Sequence, residues 1–140
     1  MNEIIIYTDG SCLGNPGKGG WAAVIINDSI EEVIFGSEKE STNNRMELTA
    51  AINALLKIKQ DKKIKIYTDS KYVKDGIEKW ISNWKLNNWK NANKKDVKNK
   101  DLWKKLDSII SKNLKKKEFY KVLPNNLNKI KNYIKANRLH

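Results

Sequence analysis

Apolar residues follow two periods along this chain. Ile4-Ile5-Ile6-Tyr7, Trp21 to Ile26, Glu32 to Phe35 and Ile64-Lys65-Ile66-Tyr67 are short runs bounded by turn formers and read as strands. Leu48, Ala51, Ile52, Leu55 and Ile58 recur at helical spacing and predict a helix ending near Lys59. Asn44 followed three residues later by Glu47 has the form of a capping box at its start. Further helices are predicted over roughly Lys71–Gly76, Ile77–Lys85 and Asp101–Lys115, with a polar basic segment before the last. Lys117 to Leu123 reads as a fifth strand stopped by Pro124, and Asn125 to Asn137 as a final helix. Short connections make the first three strands an antiparallel meander. The order βββαβ, helices, βα predicts an α/β fold in one domain, residues 1–140, with no linker or repeat array.

The tetrapeptide Ile-Tyr-Thr-Asp closes two of these strands, ending at Asp9 and Asp69. If the two strands are parallel neighbours, about 4.8 Å apart, both aspartates reach the carboxyl edge of one sheet. Open α/β sheets bind ligands at that edge. An Asp-Gly turn would account for Asp9 alone, an N-cap for Asp69 alone, and a capping box for Glu47. The repetition favours a shared role. Carboxylates without His or Cys beside them suit Mg²⁺ or Mn²⁺ rather than zinc. The single histidine, His140, offers no triad. Residues 10–20 hold five of the seven glycines and predict a tight loop with exposed backbone.

The net charge of +12 is unevenly placed. Residues 1–60 carry 5 Lys/Arg against 8 Asp/Glu, and residues 61–140 carry 23 against 8. Within residues 71–117 stand 15 Lys, 5 Asp/Glu and four of the five tryptophans: Trp80, Trp84, Trp89 and Trp103. Such a window suits a polyanion, although the abundance of Lys, Asn and Ile also has the look of A+T-rich coding. Trp103 is expected in the core. Trp80 and Trp84, four apart, share a helix face, and Trp89 has no apolar neighbour in sequence. A single cysteine, Cys12, permits no internal disulfide. The apolar runs are too short to span a bilayer, and Met1-Asn2-Glu3 lacks a signal-peptide pattern. A cytoplasmic monomer without a membrane partner is expected.

Tyr7-Thr8-Asp9-Gly10-Ser11-Cys12-Leu13-Gly14-Asn15-Pro16-Gly17, Thr42-Asn43-Asn44-Arg45-Met46-Glu47-Leu48, Thr68-Asp69-Ser70, Trp80-Ile81-Ser82-Asn83-Trp84-Lys85 and Val97-Lys98-Asn99-Lys100-Asp101-Leu102-Trp103 together resemble bacterial type 1 ribonuclease H. The resemblance is dense from residue 4 to about 107. It implies the ribonuclease H-like fold, a five-stranded mixed sheet flanked by helices. It also implies an endoribonuclease that hydrolyses the RNA strand of RNA–DNA hybrids with two Mg²⁺ ions, for which Mn²⁺ can substitute. Asp9, Glu47 and Asp69 then match three of the family's four metal-binding acids. Residues of about 80–98 match its basic protrusion, with Trp80, Trp84, Lys85, Trp89, Lys90, Lys94, Lys95 and Lys98 facing substrate. Asn15, Asn43 and Asn44 match minor-groove contacts that sense 2′-hydroxyls. Thr42, Arg45 and Asn99 match a pocket for a DNA phosphate. Lys71 stands where the family often has Gln.

The C-terminal part departs from that pattern. Lys121-Val122-Leu123-Pro124-Asn125 replaces a Gly-His-x-Gly-like loop, and Lys135-Ala136-Asn137-Arg138-Leu139 offers Asn137 where the family has its fourth acid. An amide supplies an oxygen without charge, so the resemblance implies weaker binding of the second ion and a slow enzyme. The alternative is a catalytically weakened or inactive domain that still binds the hybrid. A phosphatase with an Asp-x-Asp-Gly-Thr loop would need an aspartate where Tyr7 stands.

Overall fold

The computed structural model describes residues 3–59, 63–113 and 117–121, together with Ile130, Asn132 and Lys135. Strands β1 (Glu3–Cys12), β2 (Gly17–Asn27) and β3 (Ile30–Ser41) form the meander. Asp28 and Ser29, both at positive φ, make the two-residue β2–β3 turn that matches strand twist. Helix α1 (Asn43–Leu56) crosses to β4 (Lys63–Thr68). Helix α2 (Lys71–Asp75), a π-helical turn (Gly76–Trp80), α3 (Ile81–Leu86), α4 (Lys100–Asn113) and β5 (Lys117–Lys121) follow. The five strands form one mixed sheet in the order β3-β2-β1-β4-β5. β1 is antiparallel to β2 and parallel to β4, and β4 is parallel to β5.

Three expectations need correction. The glycine-rich stretch is mostly strand: β1 continues through Gly10 to Cys12, paired with Gly19 to Trp21. The loop is only the few residues between Cys12 and Gly17. Small residues let two strands extend where their side chains would otherwise meet α1. The cap of α1 is Thr42 rather than Asn44, its side chain accepting from the Arg45 N–H. Glu47 therefore serves no capping box. Finally, a π-helical turn interrupts the run expected over Ile77–Lys85. Val122 and Leu123 of the expected fifth strand and its stop at Pro124 lie outside the described residues, as does the final helix expected over Asn125 to Asn137 except for Ile130, Asn132 and Lys135.

The core lies between the sheet and α1 and α4. Ile4, Ile6, Ile64 and Ile66 alternate into it from β1 and β4, meeting Leu48, Ile52 and Leu55 of α1 and Leu106 and Ile110 of α4. Helix α1 is buried on nearly every side, with Ala50, Ala51 and Ala54 giving the close approach. Trp103 is fully buried, as expected, and its Nε1–H donates to the Tyr72 hydroxyl at 2.9 Å. Its ring fills the space a Cβ at Gly76 would need, 2.0 Å from Trp103 Cη2. Truncating an aromatic so buried costs about 3–5 kcal/mol. On the opposite sheet face, Ile130, assigned as helical, packs with Ala22 and Val24.

Candidate active site

The parallel pairing of β1 and β4 aligns the duplicated tetrapeptides residue for residue. Tyr7 pairs with Tyr67 and Thr8 with Thr68. The tyrosine rings stack with centroids 5.0 Å apart, and the next residue of each chain segment is the aspartate. Asp9 and Asp69 thus emerge side by side at the sheet edge, as the repetition predicts.

Glu47 reaches the same place from the first turns of α1. One ligand oxygen from each of Asp9, Glu47 and Asp69 lies within 4.8 Å of the others. The close fit of α1 on β1 makes this convergence. Gly10 carries no side chain where a Cβ would stand 2.5 Å from the Met46 carbonyl carbon and 2.7 Å from the Glu47 nitrogen. Its N–H donates to Glu47 Oε1 at 3.1 Å and to Asp9 Oδ1 at 3.0 Å. Gly10 therefore fixes both carboxylates. The cluster of glycines suggests a loop at this position and hides this role; the place of Gly10 directly after a strand-ending Asp is the signal for it.

Glu47 is buried, Asp9 half-buried and Asp69 exposed. Burial pushes the Glu47 carboxyl well above the usual carboxylate range. The neighbouring charge of Asp9, a hydrogen bond with it, and the charge of Asp69 push in the same direction, against the Gly10 N–H. Glu47 Oε2 is buried and has no protein hydrogen-bond partner among the described residues. Such an atom is costly unless a cation or proton meets it. Three hard carboxylate oxygens converging with one buried lone acceptor fit a divalent metal of the Mg²⁺ class.

The polar residues beside this centre are only partly gathered. The Cys12 N–H donates to Asn43 Oδ1 at 2.6 Å, and the Asn43 N–H donates to Asn15 Oδ1 at 3.1 Å. Asn15 and Asn43 thus form one exposed cluster with β1. Asn44 follows on α1 and is half-buried. Thr42, as the α1 cap, stands beside Arg45, whose Nη1 donates to Asn99 Oδ1 at 3.2 Å. Asn99, at φ 60, also donates from Nδ2 to the Tyr72 hydroxyl at 3.1 Å. Asp101 grips Arg45 with both carboxylate oxygens, at 3.0 and 2.8 Å. Neither Asp101 nor Tyr72 was singled out from the sequence, because an ion pair between residues 45 and 101 has no local signature.

Of the tryptophans, Trp89 differs from expectation. Trp89 packs on Trp84, with centroids 6.2 Å apart, and both border the core. Trp84 also meets Trp80 and Trp103 at 5.7 and 5.4 Å. These rings hold the segment after α3 onto the body, so Trp89 has apolar neighbours that its sequence context lacks. The basic side chains Lys85, Lys90, Lys94, Lys95 and Lys98 are all exposed. Lys90 pairs with Asp96 at 2.6 Å, closing a turn bridged by Lys90 and Asp96. Lys85 pairs with Asp107 at 3.4 Å. Lys71 is exposed at the start of α2. Asn137 and His140 lie outside the described residues.

The RNase H family model matches residues 1–121. The chain is 56% identical over 112 residues to the ribonuclease H of Francisella tularensis subsp. novicida, covering 80% of this chain and 74% of that one. It is 54% identical over 109 residues to the ribonuclease H of Ehrlichia chaffeensis, covering 78% and 75%. The fold is similar to the crystal structure of LC11-RNase H1 in complex with RNA/DNA hybrid, with TM-score 0.74, 20% identity, and coverage of 95% and 94%. With a matched family model over most of its length and relatives at this identity, the chain belongs to the RNase H family.

Proposed function

We propose that this chain is an endoribonuclease that hydrolyses the RNA strand of RNA–DNA hybrids, using two Mg²⁺ ions. The observation that carries the reading is the convergence of Asp9, Glu47 and Asp69 around a buried, unpartnered carboxylate oxygen. Asp9, Glu47 and Asp69 would hold the metal, with Asn137 as a fourth, uncharged oxygen donor. Bound there, divalent ions activate a water and stabilise the leaving oxygen. Asp9 and Asp69 extend their carboxylates from neighbouring strand ends, while Gly10 holds Glu47 against them. The exposed Asn15 and Asn43 present amides beside the site, suited to reading 2′-hydroxyls. Residues about 80–98 form the basic protrusion that grips the DNA strand. Cleavage of a labelled RNA–DNA hybrid in Mg²⁺, Mn²⁺ or EDTA tests the reading: cut RNA with either metal and none in EDTA is expected. Intact hybrid under all three conditions would refute it. The second reading, hybrid binding without cleavage, is favoured by one observation: Lys121 to Asn125 holds no histidine and residue 137 is Asn. Binding without cleavage in the same assay would establish it.

The protrusion carries its own expectation. Lys90→Ala, Lys94→Ala and Lys95→Ala combined should weaken binding to every hybrid sequence alike, since phosphate contacts carry no base information. The log–log salt slope should become shallower by up to about 0.9 per lost contact, on the B-DNA scale. Binding titrations in EDTA at several salt concentrations check this. A sequence-selective loss with an unchanged slope would contradict phosphate gripping.

A further inference from the structure

Three candidate phosphate-contacting cations already hold an aspartate. Lys85 pairs with Asp107, Lys90 with Asp96, and Arg45 with Asp101. Lys94, Lys95 and Lys98 carry no ion pair among the described residues. The Arg45 pair differs in geometry from the two lysine pairs. Both terminal nitrogens of the guanidinium engage both oxygens of Asp101, at 3.0 and 2.8 Å, while Asn99 takes a further Nη1 proton at 3.2 Å. Two parallel N–H···O bonds are the arrangement Arg also offers a phosphate. The pair bridges the first turns of α1 and α4, and its side chains are 33% and 65% exposed. Ion pairs so exposed contribute little to stability, so holding the two helices together is a weak reason for this one.

We propose that Asp101 is a built-in counter-anion at the Arg45 site: its carboxylate occupies the guanidinium fork that a phosphate of the DNA strand takes, and hybrid binds there by exchanging phosphate for carboxylate. This rests on the reading of Thr42, Arg45 and Asn99 as a phosphate pocket. The pairing already sets a carboxylate against the cation, with two parallel bonds at 3.0 and 2.8 Å. Asn99, tied to Tyr72 at 3.1 Å, keeps the fork in place during the exchange. Asp101 turns outward on its exposed side and stands as a like charge beside the bound phosphate. Its presence makes the site weaker and easier to leave.

The test compares Asp101→Asn, Arg45→Ala and the double variant, binding a short RNA–DNA hybrid in EDTA at several salt concentrations. Asp101→Asn should bind roughly threefold to tenfold tighter at low salt, the scale of one like charge removed at contact distance in water. Its salt slope should steepen by up to about 0.9, because no displaced carboxylate is left to take back a salt cation when the phosphate binds. Arg45→Ala should bind more weakly, and the gain from Asp101→Asn should vanish in the Arg45→Ala background. Thermal melting of each variant confirms that it is folded. Affinity and slope unchanged or reduced in Asp101→Asn, with Arg45→Ala still weakened, would overturn the exchange and make Asp101 a support for Arg45. A gain that survives in the double variant would overturn it as well. Undiminished binding by Arg45→Ala would instead remove the phosphate pocket itself.

Discussion

Glu47→Gln should lower Mg²⁺-supported cleavage roughly a hundredfold or more, while leaving hybrid binding largely intact. A metal acting as a Lewis acid supplies several kcal/mol, and each ~1.4 kcal/mol is tenfold in rate. The amide keeps the shape of the side chain and removes its charge. Asp9→Asn should behave alike, since both residues offer oxygens to the same centre. Binding survives because the protrusion and the Asn15–Asn43 cluster are untouched. The metal-free protein should meanwhile become more stable. Burial and the charges of Asp9 and Asp69 hold the Glu47 carboxyl above its ordinary value of 4.5. The folded chain then binds that proton more tightly than the unfolded chain does. The Glu47 contribution to stability is therefore greatest at low pH and falls as pH rises from the ordinary carboxylate value through the raised folded one. Gln carries no such penalty. In EDTA, the Tm advantage of Glu47→Gln should be near zero below the ordinary value and should open as pH rises. Mg²⁺ should raise the Tm of the parent chain and barely move the variant. Parallel melting curves across pH would show that Glu47 bears no strain in the folded state. Undiminished cleavage would remove it from the catalytic set.

Gly10→Ala should separate the carboxylates without touching one of them. The new Cβ would meet backbone: the Met46 carbonyl carbon at 2.5 Å, its oxygen at 2.6 Å and the Glu47 nitrogen at 2.7 Å. No side chain can turn aside to make room, so α1 must move away from β1. Overpacking of this kind costs typically about 1–3 kcal/mol. The larger effect should fall on catalysis, because a displacement of about 1 Å in a reacting site can cost roughly a hundredfold. The Gly10 N–H would also lose its reach to Glu47 Oε1. Melting curves and single-turnover cleavage across a Mg²⁺ titration separate the two effects. A folded variant that cleaves like the parent at every Mg²⁺ concentration would show that the close approach of β1 and α1 is not what assembles the site.

The strand and helix periods were legible in the sequence because each depends on residues close in the chain. The alternating isoleucines of β1 and β4 and the helical face of α1 lie where their spacing puts them. The duplicated Ile-Tyr-Thr-Asp likewise foretold that Asp9 and Asp69 would meet, since a parallel pair in register carries equivalent residues to one edge. Glu47 was ambiguous on the same evidence. Spacing fits a capping box, and only resemblance pointed to a ligand; the packing of α1 against Gly10 brings Glu47 to the two aspartates, with Thr42 taking the cap. Other features depended on distance in space alone. Trp89 looked unsupported beside polar neighbours, yet the fold brings Trp84 beneath it. Arg45 and Asp101 stand far apart in sequence and meet because α1 and α4 pack with their first turns together. By itself, the sequence determined the elements and the chemical types at their ends, which are set by local sterics and hydrophobic period. The tertiary structure alone decided which carboxylate is buried and strained and which cations are already paired, because desolvation and ion pairing depend on neighbours that no local pattern records.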